Sequence, residues 1–177
     1  MIPRGALITA AVLAGFGIAA GWYLEAGELD ATVGSASLLY DAALYGTIVG
    51  FVGGSLLSFS ARSILGKLQT VALTVLLCAV GGPLLAHYTN RAFGGGPERL
   101  ALPVKQVTAT WAARGLTREA PQAPPDGYLV FVETGEGTVR LFRSGGEKPQ
   151  VGPTRSVEVL REPGYWGYPR YSLPPAP

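Results

Sequence analysis

Few side chains in this 177-residue chain carry reactive chemistry, and their number and spacing exclude most of what they could do. There is one cysteine, Cys78, and one histidine, His87. Zinc centres draw on several such ligands and a histidine-based triad on a nucleophile and an acid in set roles, so neither can be built from the usual parts. Cys78 lies inside an apolar run and reads as a small buried hydrophobe; with no second cysteine there is no intramolecular disulfide. Glu133 and Glu136 flank a hairpin turn and read as a solvated turn, not as a glycosidase pair. Gly15-Phe16-Gly17 with Gly21 has the spacing GxGxxxG and no preceding strand, which is wrong for a dinucleotide loop. A Ser-x-x-Lys pair, a phosphate loop and a His-Glu-x-x-His motif are all missing from the sequence. The expectation is therefore no catalytic residue, no metal and no cofactor.

Asp41 is the one carboxylate within a long apolar run. A charge at mid-membrane costs about 2.5 to 3.5 kcal/mol and would suggest a proton or ion site. With Ser37 or Ser35 as N-cap, Asp41 instead falls in a first helical turn, where exposed amides and the positive dipole end favour it.

Two groups of residues stand out for contact rather than catalysis. Gly46, Gly50 and Gly54 recur every fourth residue, with Gly53 beside them, so one stripe of a helix has almost no side chains. Such a stripe lets a second helix approach closely, here the first or third helix or the same helix of a neighbouring subunit. Near the C-terminus, Tyr165, Trp166, Tyr168 and Tyr171 form an aromatic cluster suited to a partner or a headgroup layer. The plainer reading is that Trp166 and a tyrosine close one end of a small core with few aliphatics, because a small domain must recruit large side chains to bury enough area.

The elements that position these groups differ between the two halves. Leu38 to Phe59 is 22 residues with one charge, roughly 33 Å as a helix and enough to cross a bilayer core of about 30 Å. Ala6 to Leu24 precedes it, with Arg4 before and Trp22 and Tyr23 at its end as interfacial rings. That run also fits a signal peptide cleaved near Ala19 and Ala20, though a retained helix is the favoured reading. Leu68 to Tyr88 follows, interrupted by Gly81-Gly82-Pro83, where a kink is expected. Residues 1–88 thus predict three transmembrane helices, about 6–24, 38–59 and 68–88, packed antiparallel across short connectors.

Twelve of the 14 prolines lie after position 96, and the pattern there changes to period two. Residues 89–103 read as a linker and 104–173 as a small, mainly antiparallel β domain of four or five strands. The strands expected are 104–112, 128–133, 138–143, 156–161 and 170–173, with a proline-rich loop over 115–127. Residues 174–177 read as an extended polyproline-like end. Arg140, Arg143, Arg155, Arg161 and Arg170 are scattered among acids and read as a solvated surface.

Three basic and four acidic residues precede Tyr88, and 11 basic and eight acidic follow from there. That balance does not suit a nucleic-acid surface. Arg4, Arg62 and Lys67 would share one side, while the connector Glu25 to Ser37 carries no basic residue. The positive-inside rule then places the N-terminus in the cytoplasm and the tail outside, with Arg91, Arg99 and Lys105 counting against it. The sequence predicts a membrane α + β protein, multi-pass, in a bacterial inner membrane. Its expected role is a non-enzymatic accessory or scaffold subunit that holds a small β interaction domain. Its expected partners are the lipid bilayer and other membrane subunits or a second copy. The alternative is a small transporter or channel component using the kinked third helix.

Overall fold

The structure, a computed structural model, describes residues 4–61, 63–110, 125–145, 148–149, 151–152 and 155–174. Three helices come first, α1 (Arg4–Leu29), α2 (Ser35–Ser58) and α3 (Ile64–Ala92), followed by an antiparallel sheet. The chain divides into a helical unit, through Ala26 and over Ala36–Thr89, and a β unit made of Gly27–Ser35 with the residues from Asn90 onward.

All three helices are long and apolar enough to cross a membrane. Large apolar side chains such as Leu13, Phe16, Phe51, Leu56 and Leu76 face outward, so the contacts between helices rest on small residues. A Cβ on Gly50 would lie 2.7 Å from the Cα of Val75, and one on Gly54 would lie 2.9 Å from the Cα of Val71. Gly46 faces the backbone at Cys78 in the same way. As the α2 number rises the α3 number falls, so these helices run antiparallel. Gly53 meets nothing within 4 Å and stands off the packing line. Against α1, Gly81 meets Ile18 and Gly21 meets Leu84, while the indole of Trp22 donates to the Val80 carbonyl at 3.2 Å; α1 and α3 are parallel. Hydroxyls within the helices are satisfied locally, Thr47 on Ala43, Thr70 on Gly66 and Thr74 on Thr70, which removes the cost of polar groups on apolar helices.

α3 is one continuous helix through Pro83, not a broken one. Its Gly82 rests on the carbonyl of Ala42 in α2, so the glycine pair beside the proline serves contact on both sides of the helix. α2 begins at Ser35, with no acidic residue in its first turn. The expected placement of Asp41 in that turn is corrected: it is the seventh residue, about 9 Å along the axis, and exposed.

In the β unit, five strands, β1 (Glu98–Thr110), β2 (Gly127–Thr134), β3 (Gly137–Ser144), β4 (Ser156–Glu162) and β5 (Arg170–Ser172), pair in the order β3-β2-β1-β4-β5, all antiparallel. β1 is shared: Glu98–Pro103 pairs with β4, and from Val104 onward it pairs with β2. The register slips between Val104 and Gln106. Leu100, Leu102 and Val104 face the core before the slip and Val107 after it; a one-residue bulge changes which parity points inward. Val130, Val132, Val139, Leu141, Val157, Val159 and Tyr171 complete the core with Ala31.

α3 to Ala92 and the strand over residues 98–103 together replace most of the expected linker. Its Pro103 sits where β1 exchanges one neighbour for the other, the place in a central strand where a missing N–H does least harm. The hairpin at Thr134–Gly137 lies where it was expected, its Thr134 hydroxyl donating to the Gly137 carbonyl at 2.8 Å. Arg62, Trp111, residues 112–124 of the proline-rich stretch and 175–177 lie outside the described residues.

The two glycine environments give a paired test. Gly50→Leu forces a side chain into the α3 backbone and should destabilise the helical unit by about 1 to 3 kcal/mol or more. Gly53→Leu meets open space and should be neutral or gain up to about 1 kcal/mol of helix propensity. Thermal unfolding of both variants in the same detergent checks the contrast.

Candidate functional site

The residues between α1 and α2 were expected to be a polar connector, and they are instead part of the β unit. Ala31-Thr32-Val33 lies along β5: the Tyr171 amide donates to the Ala31 carbonyl at 2.8 Å and the Val33 amide to the Pro169 carbonyl at 3.0 Å. Asp30 reaches the opposite edge strand, its carbonyl accepting from the Arg140 amide of β3 at 3.3 Å. The connector therefore bridges the two outer strands of the sheet. Gly34 ends it at φ 70°, with the Tyr168 ring where a side chain would otherwise stand.

Charge complements this pairing. Oε2 of Glu28 accepts from Nε of Arg170 at 2.8 Å and lies 2.6 Å from its Nη2, while Nη1 of Arg170 donates to Glu162 at 2.9 Å. Arg91 lies 4.0 Å from Glu28, and Arg140 pairs with Asp30. Burial of Arg170 opposes its charge, but Glu28 and then Glu162 more than offset this, so its pKa stands above the ordinary value. Arg140 and Arg170, expected on a solvated surface, thus hold the connector.

A second constellation lies at the start of the tail. Asn90 is buried, its side chain donating to the Tyr168 carbonyl at 2.8 Å and accepting from the Trp166 amide at 2.9 Å. Its own carbonyl accepts from the Tyr165 amide at 3.0 Å, and the Gly95 amide donates to the Pro163 carbonyl at 2.8 Å. Gly164 packs against Asn90 so closely that any side chain there would collide with it. The turn over 163–168 is thereby fixed to residues 90–95. From it project Tyr165 and Trp166, edge to face at 5.0 Å, with Phe93 edge-on to Tyr165 at 6.2 Å. These rings remain 60%, 54% and 66% exposed in the order Tyr165, Trp166, Phe93.

The aromatic cluster is thus divided. Tyr171 is core at 7% exposure, Tyr168 is half-buried against Gly34, and Tyr165 and Trp166 face outward. The favoured reading that Trp166 closes the core is corrected: the sheet reaches closure with Ala31 and Val33 from the connector, which frees Trp166 from that task. Sequence reasoning missed Asn90 and the connector. The only signals were an asparagine just past the third apolar run, and an acidic connector facing a basic tail.

In the helical unit the one histidine finds the carboxylate of Glu25. Nδ1 of His87 lies 3.1 Å from Oε2 of Glu25, both residues are buried, and the pair ties α1 to α3. An ionised Glu25 requires the proton on Nδ1. Among the described residues no three of His, Cys, Asp and Glu stand close enough together to hold a metal ion.

Comparison with protein-family models, with curated proteins and with solved structures finds no match to this chain.

Arg170→Met removes the centre of the ionic cluster and should destabilise the β unit by about 1.5 to 3 kcal/mol, the range for hydrogen bonds to charged groups. Because the raised group is a cation, its contribution is complete below the unfolded-state pKa and is lost only as pH rises through the still higher folded value. The deficit of the mutant should therefore be flat across roughly pH 5 to 9 as far as Arg170 is concerned. Chemical denaturation of the two proteins over that range measures it.

Proposed function

We propose that this chain is a non-enzymatic integral membrane accessory or scaffold subunit. In this reading α1, α2 and α3 each cross a bacterial inner membrane, with the N-terminus in the cytoplasm and the β unit on the outer side. One observation carries the topology. The connector between α1 and α2 is folded into the same unit as the chain after α3. Passage of α2 across a bilayer and return through α3 bring the chain back to the side of the connector, so the two segments share a side, as this reading requires. The charge pattern supports the orientation, since Lys67 and Arg62 fall in the opposite connector and Glu28 and Asp30 in this one.

The accessory role is supported by what the two units are built to do. The helical unit joins its helices through small residues and leaves its large apolar side chains outward, toward lipid or neighbouring helices. The β unit is held to that anchor by covalent links at both ends of the connector and at Asn90.

Protease added to intact spheroplasts should digest the β unit and leave the helices, and gentle detergent extraction should bring down stable membrane partners in defined ratio. Protection of the tail until lysis would reverse the orientation. A protein that purifies alone and passes ions or solute in liposomes would be a small transporter instead.

A further inference from the structure

Phe93, Tyr165 and Trp166 have a location as well as an exposure. The third apolar run ends at Tyr88, and α3 continues as regular helix to Ala92. At about 1.5 Å per residue, Asn90 lies roughly 3 Å beyond that end and Ala92, the neighbour of Phe93, about 6 Å beyond it. The polar layer on each side of a bilayer core is about 5 to 7.5 Å deep. Asn90 carries the 163–168 turn on three hydrogen bonds, of 2.8, 2.9 and 3.0 Å. The aromatic turn therefore keeps the depth of Asn90, through the covalent chain and this clamp alone. Among the described residues, the other large apolar side chains exposed in the β unit are Phe142 and Val151. Tyrosine and tryptophan combine an apolar ring with a polar tip, the pairing that the headgroup layer favours.

We propose that Phe93, Tyr165 and Trp166 form an anchor in the lipid headgroup layer, with Asn90 as the residue that sets its depth. The ligand is the bilayer interface itself, its carbonyl and phosphate groups meeting the phenol and indole tips and its upper acyl segments the ring faces. The inference rests on the reading that α3 crosses the membrane, and it assigns these rings to lipid and not to a protein partner.

The test uses the full chain in phospholipid vesicles, alone, as wild type and as Trp166→Phe. The difference between their emission spectra isolates Trp166, because Trp22 and Trp111 are common to both. The expected result is a blue-shifted difference signal that loses intensity with a spin label on the lipid headgroup, and much less with a label at the end of the acyl chain or with aqueous acrylamide. Quenching by acrylamide alone would overturn the proposal by placing Trp166 in water. A blue-shifted signal that no quencher reaches would overturn it in favour of a protein contact. Protein that fails to float with the vesicles after an alkaline wash would instead sink the membrane reading, so the two failures are separable. Asn90→Ala, which removes the two side-chain bonds of the clamp and keeps the carbonyl's, should leave flotation intact and reduce the headgroup quenching.

Discussion

Pairing of Ala31-Thr32-Val33 with β5, locked by Glu28 on Arg170, is the contact on which the rest of the β unit depends. Outer strands of a sheet carry unpaired amides and carbonyls that invite other chains. Here the connector occupies such groups on β5 and reaches Arg140 on β3. It also brings Ala31 and Val33 to a core otherwise built mainly of valines and leucines with Tyr171. The β unit is consequently not a domain appended to a helical anchor. It is assembled from two stretches that the helices α2 and α3 separate in sequence.

The helical unit is organised by a different constraint. With its large side chains turned outward, it gains little from hiding apolar area between helices, and its cohesion comes from backbone approach at Gly46, Gly50 and Gly54 and from local satisfaction of its hydroxyls. Glu25 and His87 add a polar tie between α1 and α3 at their connector ends, where a buried carboxylate without a partner would be costly. This polar tie thus lies near the end that feeds the β unit.

The three apolar runs were legible because length and composition alone determine whether a helix can span about 30 Å. The hairpin at 135–136 was legible because its glycines and flanking alternation act locally. The extension of β1 back to Glu98 was not, because a bulge near Lys105 changes the parity of the inward residues and breaks one long alternation into two short ones. Asn90 and the connector were opaque for a broader reason. Their partners stand 78 and 142 residues away, and no local pattern marks an asparagine or a glutamate for a contact at that distance. The stripe of glycines could be read as a packing face, but only the geometry separates Gly50 from Gly53.

The same long separation bears on how the chain is made. Synthesis adds about 5 to 20 residues each second, so the ribosome passes from Glu28 to Arg170, 142 residues later, in roughly 7 to 30 s. Throughout that interval the first helix has been delivered and its connector has emerged, while the strand that receives them does not yet exist. The backbone groups of Ala31 and Val33 have no partner strand in β5 until then, so closure of this edge of the sheet cannot precede the synthesis of β5. A chain truncated anywhere before β5 would leave its earliest-made segment unpaired, which gives quality control an early-made signal of a late failure.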